Sequence, residues 1–133
     1  MLSLRNVAVR VAVLSDVHAN LHALEAVLAE VDAGGFDELW CLGDIVGYGP
    51  RPNECAALLV ERATVCLAGN HDLVVLDRIP IHAFAGDAAA AALWTRRALS
   101  IEARTFLEGL EPAATVPGAE LFHGSPRDPV WDY

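Results

Sequence analysis

Val11-Ala12-Val13-Leu14-Ser15-Asp16-Val17-His18-Ala19-Asn20-Leu21 is the stretch whose reading decides the fold. The run from Val7 to Leu14 is rich in β-branched valine and continuously apolar at its end, which predicts a strand buried on both faces, as in a parallel sheet covered by helices. Beyond the polar break at Ser15 to His18, Leu21, Leu24, Val27, Leu28 and Val31 recur at helical spacing, and Gly34-Gly35 closes that helix. A strand followed at once by a helix is the building unit of an α/β fold.

The same alternation continues. Leu39 to Leu42 predicts a second strand, ending in Gly43-Asp44-Ile45-Val46-Gly47, and the Gly- and Pro-rich loop Gly47 to Pro52 leads into a helix over Asn53 to Arg62. Thr64 to Ala68 predicts a third strand, ending in Gly69-Asn70-His71-Asp72. Further on, Asp87 to Leu99 is Ala-rich and helical, Ser100 caps a helix through Leu110, and Pro112 ends it. Ala113 to Val116 and Glu120 to Phe122, joined through Pro117-Gly118, predict a hairpin that presents His123-Gly124. With right-handed crossovers, the carboxyl ends of parallel strands gather along one edge, where ligands bind. Three polar motifs fall on that edge.

Their residue types suit a divalent cation, which takes carboxylate oxygen and neutral imidazole nitrogen together. Two such cations held about 3.5–4 Å apart can clamp a phosphoryl group. Asp44 is the natural bridge, because a carboxylate can give one oxygen to each ion. Asp16 and His18, one residue apart on an extended strand end, start on the same side and can reach one ion. Asn70 offers a neutral amide oxygen, and His71 beside it need not be a ligand. Taken singly, Asp16 could cap a helix, Gly43-Asp44 could be a turn and Asn70 a left-handed loop residue. Their order and their strand-end positions argue for the site.

At these residues the chain resembles the calcineurin-like metallophosphoesterase superfamily: Asp16-x-His18, Gly43-Asp44 and Gly69-Asn70-His71-Asp72 match three of its motifs in order, and His123-Gly124 a fourth. Around Asp16 to Leu28, Gly43 to Glu54 and His123 to Pro126 it is similar to a bacterial and archaeal subgroup of small stand-alone phosphodiesterases. The resemblance implies a two-sheet sandwich flanked by helices (four layers, αββα), with only its N-terminal part here. It also implies that Asp16, His18 and Asp44 hold one metal, that Asp44, Asn70 and His123 hold the other, and that His71 is the catalytic histidine. The activity implied is hydrolysis of phosphate esters, diesters before monoesters, by attack of a metal-bridging hydroxide. Two divalent ions are expected, Mn²⁺ foremost, with Fe, Ni²⁺ or Zn²⁺ able to substitute.

The chain departs from the family pattern twice. Gly47-Tyr48 stands where phosphoprotein phosphatases carry an Asp-Arg pair, which disfavours that subclass and leaves Asp72 either to orient His71 or to support a metal ligand. No Gly-His-x-His motif, the family's source of one more histidine for each metal, follows His123, so residues 1–133 are expected to be a single incomplete domain with little or no activity by itself, and with either homodimer formation through an exposed sheet face or edge or disorder near Asp128 to Tyr133. A non-catalytic scaffold for protein interaction is the competing function, disfavoured by the retention of His71.

Composition sets the bounds. The 133 residues are 54% hydrophobic and 20% charged, enough for one core. A net charge of −9 disfavours a stable nucleic-acid partner but not a small phosphate ester, since two divalent ions would offset several of those charges. Cys41, Cys55 and Cys66 are odd in number and form no Cys-x-x-Cys, which favours reduced thiols and a cytoplasmic location. No signal peptide or membrane span is evident around Arg5 or beyond it. Trp40 and Trp94 read as core; His82 reads as surface; His22 reads as exposed or touching substrate; Tyr48, Asn20 and Arg127 flank the motifs as further candidate contacts.

Overall fold

The computed structural model describes residues 8–133, so the start of the predicted first strand at Val7, like Arg5, lies outside the described residues. Three strands form a parallel sheet in the order β1 (Val11–Leu14), β2 (Glu38–Cys41), β3 (Val65–Cys66). The register aligns Leu14 with Cys41 and Cys41 with Cys66, so all three chains leave the sheet at one level. Sequence chemistry ends the strands. Leu67 still bonds Cys41, but the Ala68 N–H turns to the Glu111 carbonyl, which makes β3 shorter than its apolar run.

The crossovers are α1 (Leu21–Gly34) and α2 (Pro52–Arg62). Asn20 caps α1 by accepting the Ala23 N–H on its side-chain oxygen, and Gly35 ends it in the left-handed conformation (φ 64°). After β3 come α3 (Asn70–Val75), a single 3₁₀ turn at Ile81–Ala83, α4 (Gly86–Ala98) and α5 (Ile101–Glu108). Asn53 of α2 joins α4 to α5, donating to the Ala98 carbonyl and accepting the Ser100 N–H, while the Ser100 hydroxyl caps α5. An antiparallel hairpin, β4 (Ala113–Val116) with β5 (Ala119–Phe122), follows. Thus the α/β class and two small sheets are present. Among the described residues no helix is long and apolar enough to cross a membrane.

The core lies on one side of the parallel sheet. Ala12, Leu39 and Cys41 pack with Leu24, Leu28, Cys55, Leu59, Val74 and Leu107 of the helices. A fully buried leucine such as Leu59 contributes about 2 kcal/mol. Burial of β1 on both faces, expected from its apolar run, does not occur: Val13 is 55% exposed, and Val13, Trp40 and Val65 share the open face by register. A cleft of about 950 Å³ separates that face from the hairpin turn at Pro117-Gly118. Trp40 is only half-buried, its indole N–H held by Glu38. Trp94 is not core either. Helix α4 packs through the small residues Ala92 and Thr95, both fully buried, which leaves Trp94 43% exposed. The segment after His123 is folded: Ser125 Oγ accepts the N–H groups of Arg127 and Asp128, and Asp128 Oδ1 those of Val130 and Trp131.

Candidate metal centre

The strand-end loops are laid against one another by their backbones. The N–H groups of Asp16, His18 and Ala19 donate to the carbonyls of Gly43, Asp44 and Ile45, so the first motif lies along the second like an extra ladder. Asp16, His18, Ala19 and Asp44 all have positive φ (60°, 48°, 53° and 54°), a region that side-chain-bearing residues seldom occupy. Asp16 and His18 therefore do not share a side by strand alternation, as their spacing suggested. Left-handed turns bring them together instead, with His18 Nε2 3.6 Å from Asp16 Oδ1.

Hydrogen bonds set the tautomers. His18 Nδ1 faces the Val46 carbonyl at 3.2 Å and His123 Nδ1 the Leu42 carbonyl at 2.7 Å; a carbonyl only accepts, so each Nδ1 carries the proton. Each neutral ring then turns the lone pair of Nε2 inward. His18 Nε2 lies 3.6 Å from Asp44 Oδ2, and so does His123 Nε2. Asn70 Oδ1 is 3.1 Å from His123 Nε2. Nitrogen, carboxylate and amide atoms converge around one buried oxygen, an arrangement suited to a cation between them. The donor set fits divalent metal, and second-partner bonds from imidazole to backbone carbonyl are how such ligands are oriented. Asp44 is 2% exposed, and burial pushes its carboxyl up to about 6 against the opposing pull of His123.

Asp44 is held from the other side. Its Oδ1 accepts the His71 N–H at 2.9 Å, and Gly69 lies so close that a Cβ there would overlap the Asp44 carboxylate and its backbone nitrogen. Gly69 has φ −95°, which alanine tolerates, so Gly69→Ala tests contact alone. It is expected to lower unfolding stability by about 3 kcal/mol and to weaken metal uptake, read by urea denaturation and by Mn²⁺ titration. An unchanged midpoint with unchanged titration would show that the approach is not needed.

Asn70, His71 and Asp72 begin α3 rather than lying in a loop beyond β3. A ring nitrogen of His71 lies within 4.8 Å of ligand atoms of His18 and Asp44, while its Nδ1 is buried without a hydrogen-bond partner. Burial, then the neighbouring His18, push its pKa down to about 4. Asp72 does not orient that ring. Its fully buried carboxylate accepts the N–H groups of Ile45, Val46 and Gly69, at 3.2, 2.9 and 2.9 Å, and so clamps the loop bearing Asp44 to the start of α3. Burial raises its pKa to about 6 despite these bonds.

A family model for calcineurin-like phosphoesterases matches residues 9–122. The chain belongs to that family. Among its relatives, an uncharacterized protein of Methanocaldococcus jannaschii is 38% identical over 128 residues, a match that takes in 92% of this chain and 53% of that protein. The crystal structure of a metallophosphoesterase from Sphaerobacter thermophilus aligns with a TM-score of 0.79 at 44% identity, covering 95% of this chain and 51% of the other. A symmetrical bis(5′-nucleosyl)-tetraphosphatase of Pseudomonas putida is 35% identical over 66 residues, 47% of this chain and 23% of that enzyme. The chain thus spans about half the length of the first two relatives.

Other candidates sort themselves by contact. Asn20 is occupied in capping α1, and Arg127 is paired with Asp132. His22 and His82 are exposed. Two further features have no local signal in the sequence. Tyr133 O–H donates to Asn70 Oδ1 at 2.5 Å, across a span of sequence that no local pattern reports. Gly47, at φ 93°, lets the His71 ring approach, since a Cβ there would stand 2.7 Å from its Nδ1.

Proposed function

We propose that this protein hydrolyses phosphate esters, diesters in preference to monoesters, with two divalent ions held at the sheet edge. One ion is assigned to Asp16, His18 and Asp44, the other to Asp44, Asn70 and His123. The observation that carries this reading is the shared Asp44 Oδ2, equidistant at 3.6 Å from two imidazole nitrogens whose other nitrogens are tied to backbone. Bound there, the ions would neutralise phosphoryl oxygens and acidify an attacking water.

The chain's own groups do the rest. Asp44 balances charge between the two positions, and Asp72 fixes the loop that aims it. His71, taking up a proton to become imidazolium, would protonate the leaving oxygen or stabilise it and return to the neutral ring. Gly47-Tyr48 supplies no cation to grip the second charge of a monoester, which supports the diester preference. Mn²⁺ suits the mixed oxygen and nitrogen set. The unpaired Cys41, Cys55 and Cys66 support a reducing cytoplasmic setting, and the open β1 face supports a homodimer.

The direct test is turnover of bis-p-nitrophenyl phosphate and of p-nitrophenyl phosphate with Mn²⁺ and with chelator. Mn²⁺-dependent release of nitrophenolate, faster from the diester and abolished by chelation, is expected. Equal release with and without metal would overturn the reading.

A further inference from the structure

Resting on the phosphoesterase reading, we propose that Tyr48 is the platform on which a planar aromatic substituent of the phosphate ester stacks, whether aryl or nucleobase. Tyr48 holds φ at 59°, a conformation that a bulky side chain avoids and that persists only where the surroundings enforce it. Here Gly47 precedes it at φ 93°, and Gly49 N–H is tied to the carbonyls of His18 and Gly47. This posture sends the ring to the rim of the metal centre, its centroid 4.6 Å from that of His71 and 5.0 Å from that of His18.

Packing does not account for it. The residue is 56% exposed, so one part of the ring rests on the two imidazoles while the remainder faces solvent beside the proposed reaction centre. Phe84 also packs against His71, with centroids 4.4 Å apart, and Trp131 meets Phe84 edge-on at 6.3 Å. Aromatic surface therefore clusters around His71. Flat aromatic groups stack on such surfaces with little regard to their hydrogen-bonding edge, and the gain is about tenfold or more in affinity.

The test uses two product-like monoesters, phenyl phosphate and methyl phosphate, titrated calorimetrically against the protein in Mn²⁺. The readout is the ratio of their affinities. Wild type and Tyr48→Phe are expected to favour phenyl phosphate about tenfold; in Tyr48→Gly the ratio falls to near one. Glycine is chosen because it accepts the positive φ freely, so loss of the ring is not confounded by loss of the fold. A ratio near one in wild type, or a tenfold ratio surviving in Tyr48→Gly, would overturn the platform while leaving phosphoester binding in place. Failure of both esters to bind would instead overturn the phosphoesterase reading, and the platform with it.

Discussion

Asp44→Asn should cost the protein both metal ions, whereas Asp16→Asn should chiefly cost one. The expectation follows from position: Asp44 Oδ2 faces both His18 and His123, and Asp16 Oδ1 faces only His18. The same substitution should stabilise the metal-free protein. A carboxyl whose folded pKa is raised from 3.8 to about 6 keeps its full contribution below pH 3.8 and loses it as pH rises through 6. By pH 7 the loss is on the order of 3 kcal/mol for this buried group. Asparagine escapes it, and its amide N–H can donate to the inward lone pairs of the histidines. Melting in chelator should therefore rise, while added Mn²⁺ should raise the wild-type melting temperature and leave the variant unmoved. Calorimetric titration decides the count of ions; loss of a single equivalent in both variants would remove Asp44 from its bridging role.

His71→Ala should lower turnover by about 10²–10⁴-fold with metal content nearly intact. Its ring nitrogen lies within 4.8 Å of ligand atoms of His18 and Asp44, yet the proposed assignment gives both ions to Asp16, His18, Asp44, Asn70 and His123 and leaves His71 free for the leaving group. The substitution deletes a buried nitrogen that bonds to nothing, and with it the ring's packing against Tyr48 and Phe84. Elemental analysis distinguishes the alternatives: a missing equivalent of metal would make His71 a ligand. The leaving group offers a second check. A nitrophenolate needs less help from a proton than an alkoxide does, and should suffer less from the change.

Much of this architecture was legible because strand ends announce themselves. Each apolar run stops at a polar motif, and parallel register carries those stops to one edge without help from distant residues. What stayed hidden depended on partners remote in sequence. Asp72 reads as an aid to His71 because Gly47 stands where the family's orienting Asp would be, but a carboxylate at the start of a helix is better satisfied by three backbone N–H groups, two of them in the loop after β2. Helix α3 was missed since Gly69-Asn70-His71-Asp72 reads as loop, although glycine followed by an acid three residues on is also how a helix begins. Trp94 was assigned to the core on spacing, and an Ala-rich helix buries its smallest face instead. The tautomer of His123 rests on Leu42, 81 residues away.

The left-handed residues of the first two loops carry an implication for descent. Asp16, His18 and Asp44 hold unfavourable backbone angles, at a cost of about 1–3 kcal/mol each. Glycine would occupy the same angles without strain and lose only the side chain. A lineage relieved of the need for metal would thus find an immediate route downhill, trading these three residues for glycine while keeping the loop's path. On the proposed reading, retaining them is a standing expense repaid by chemistry at the sheet edge, and a relative with glycine at those places is expected to have given that chemistry up.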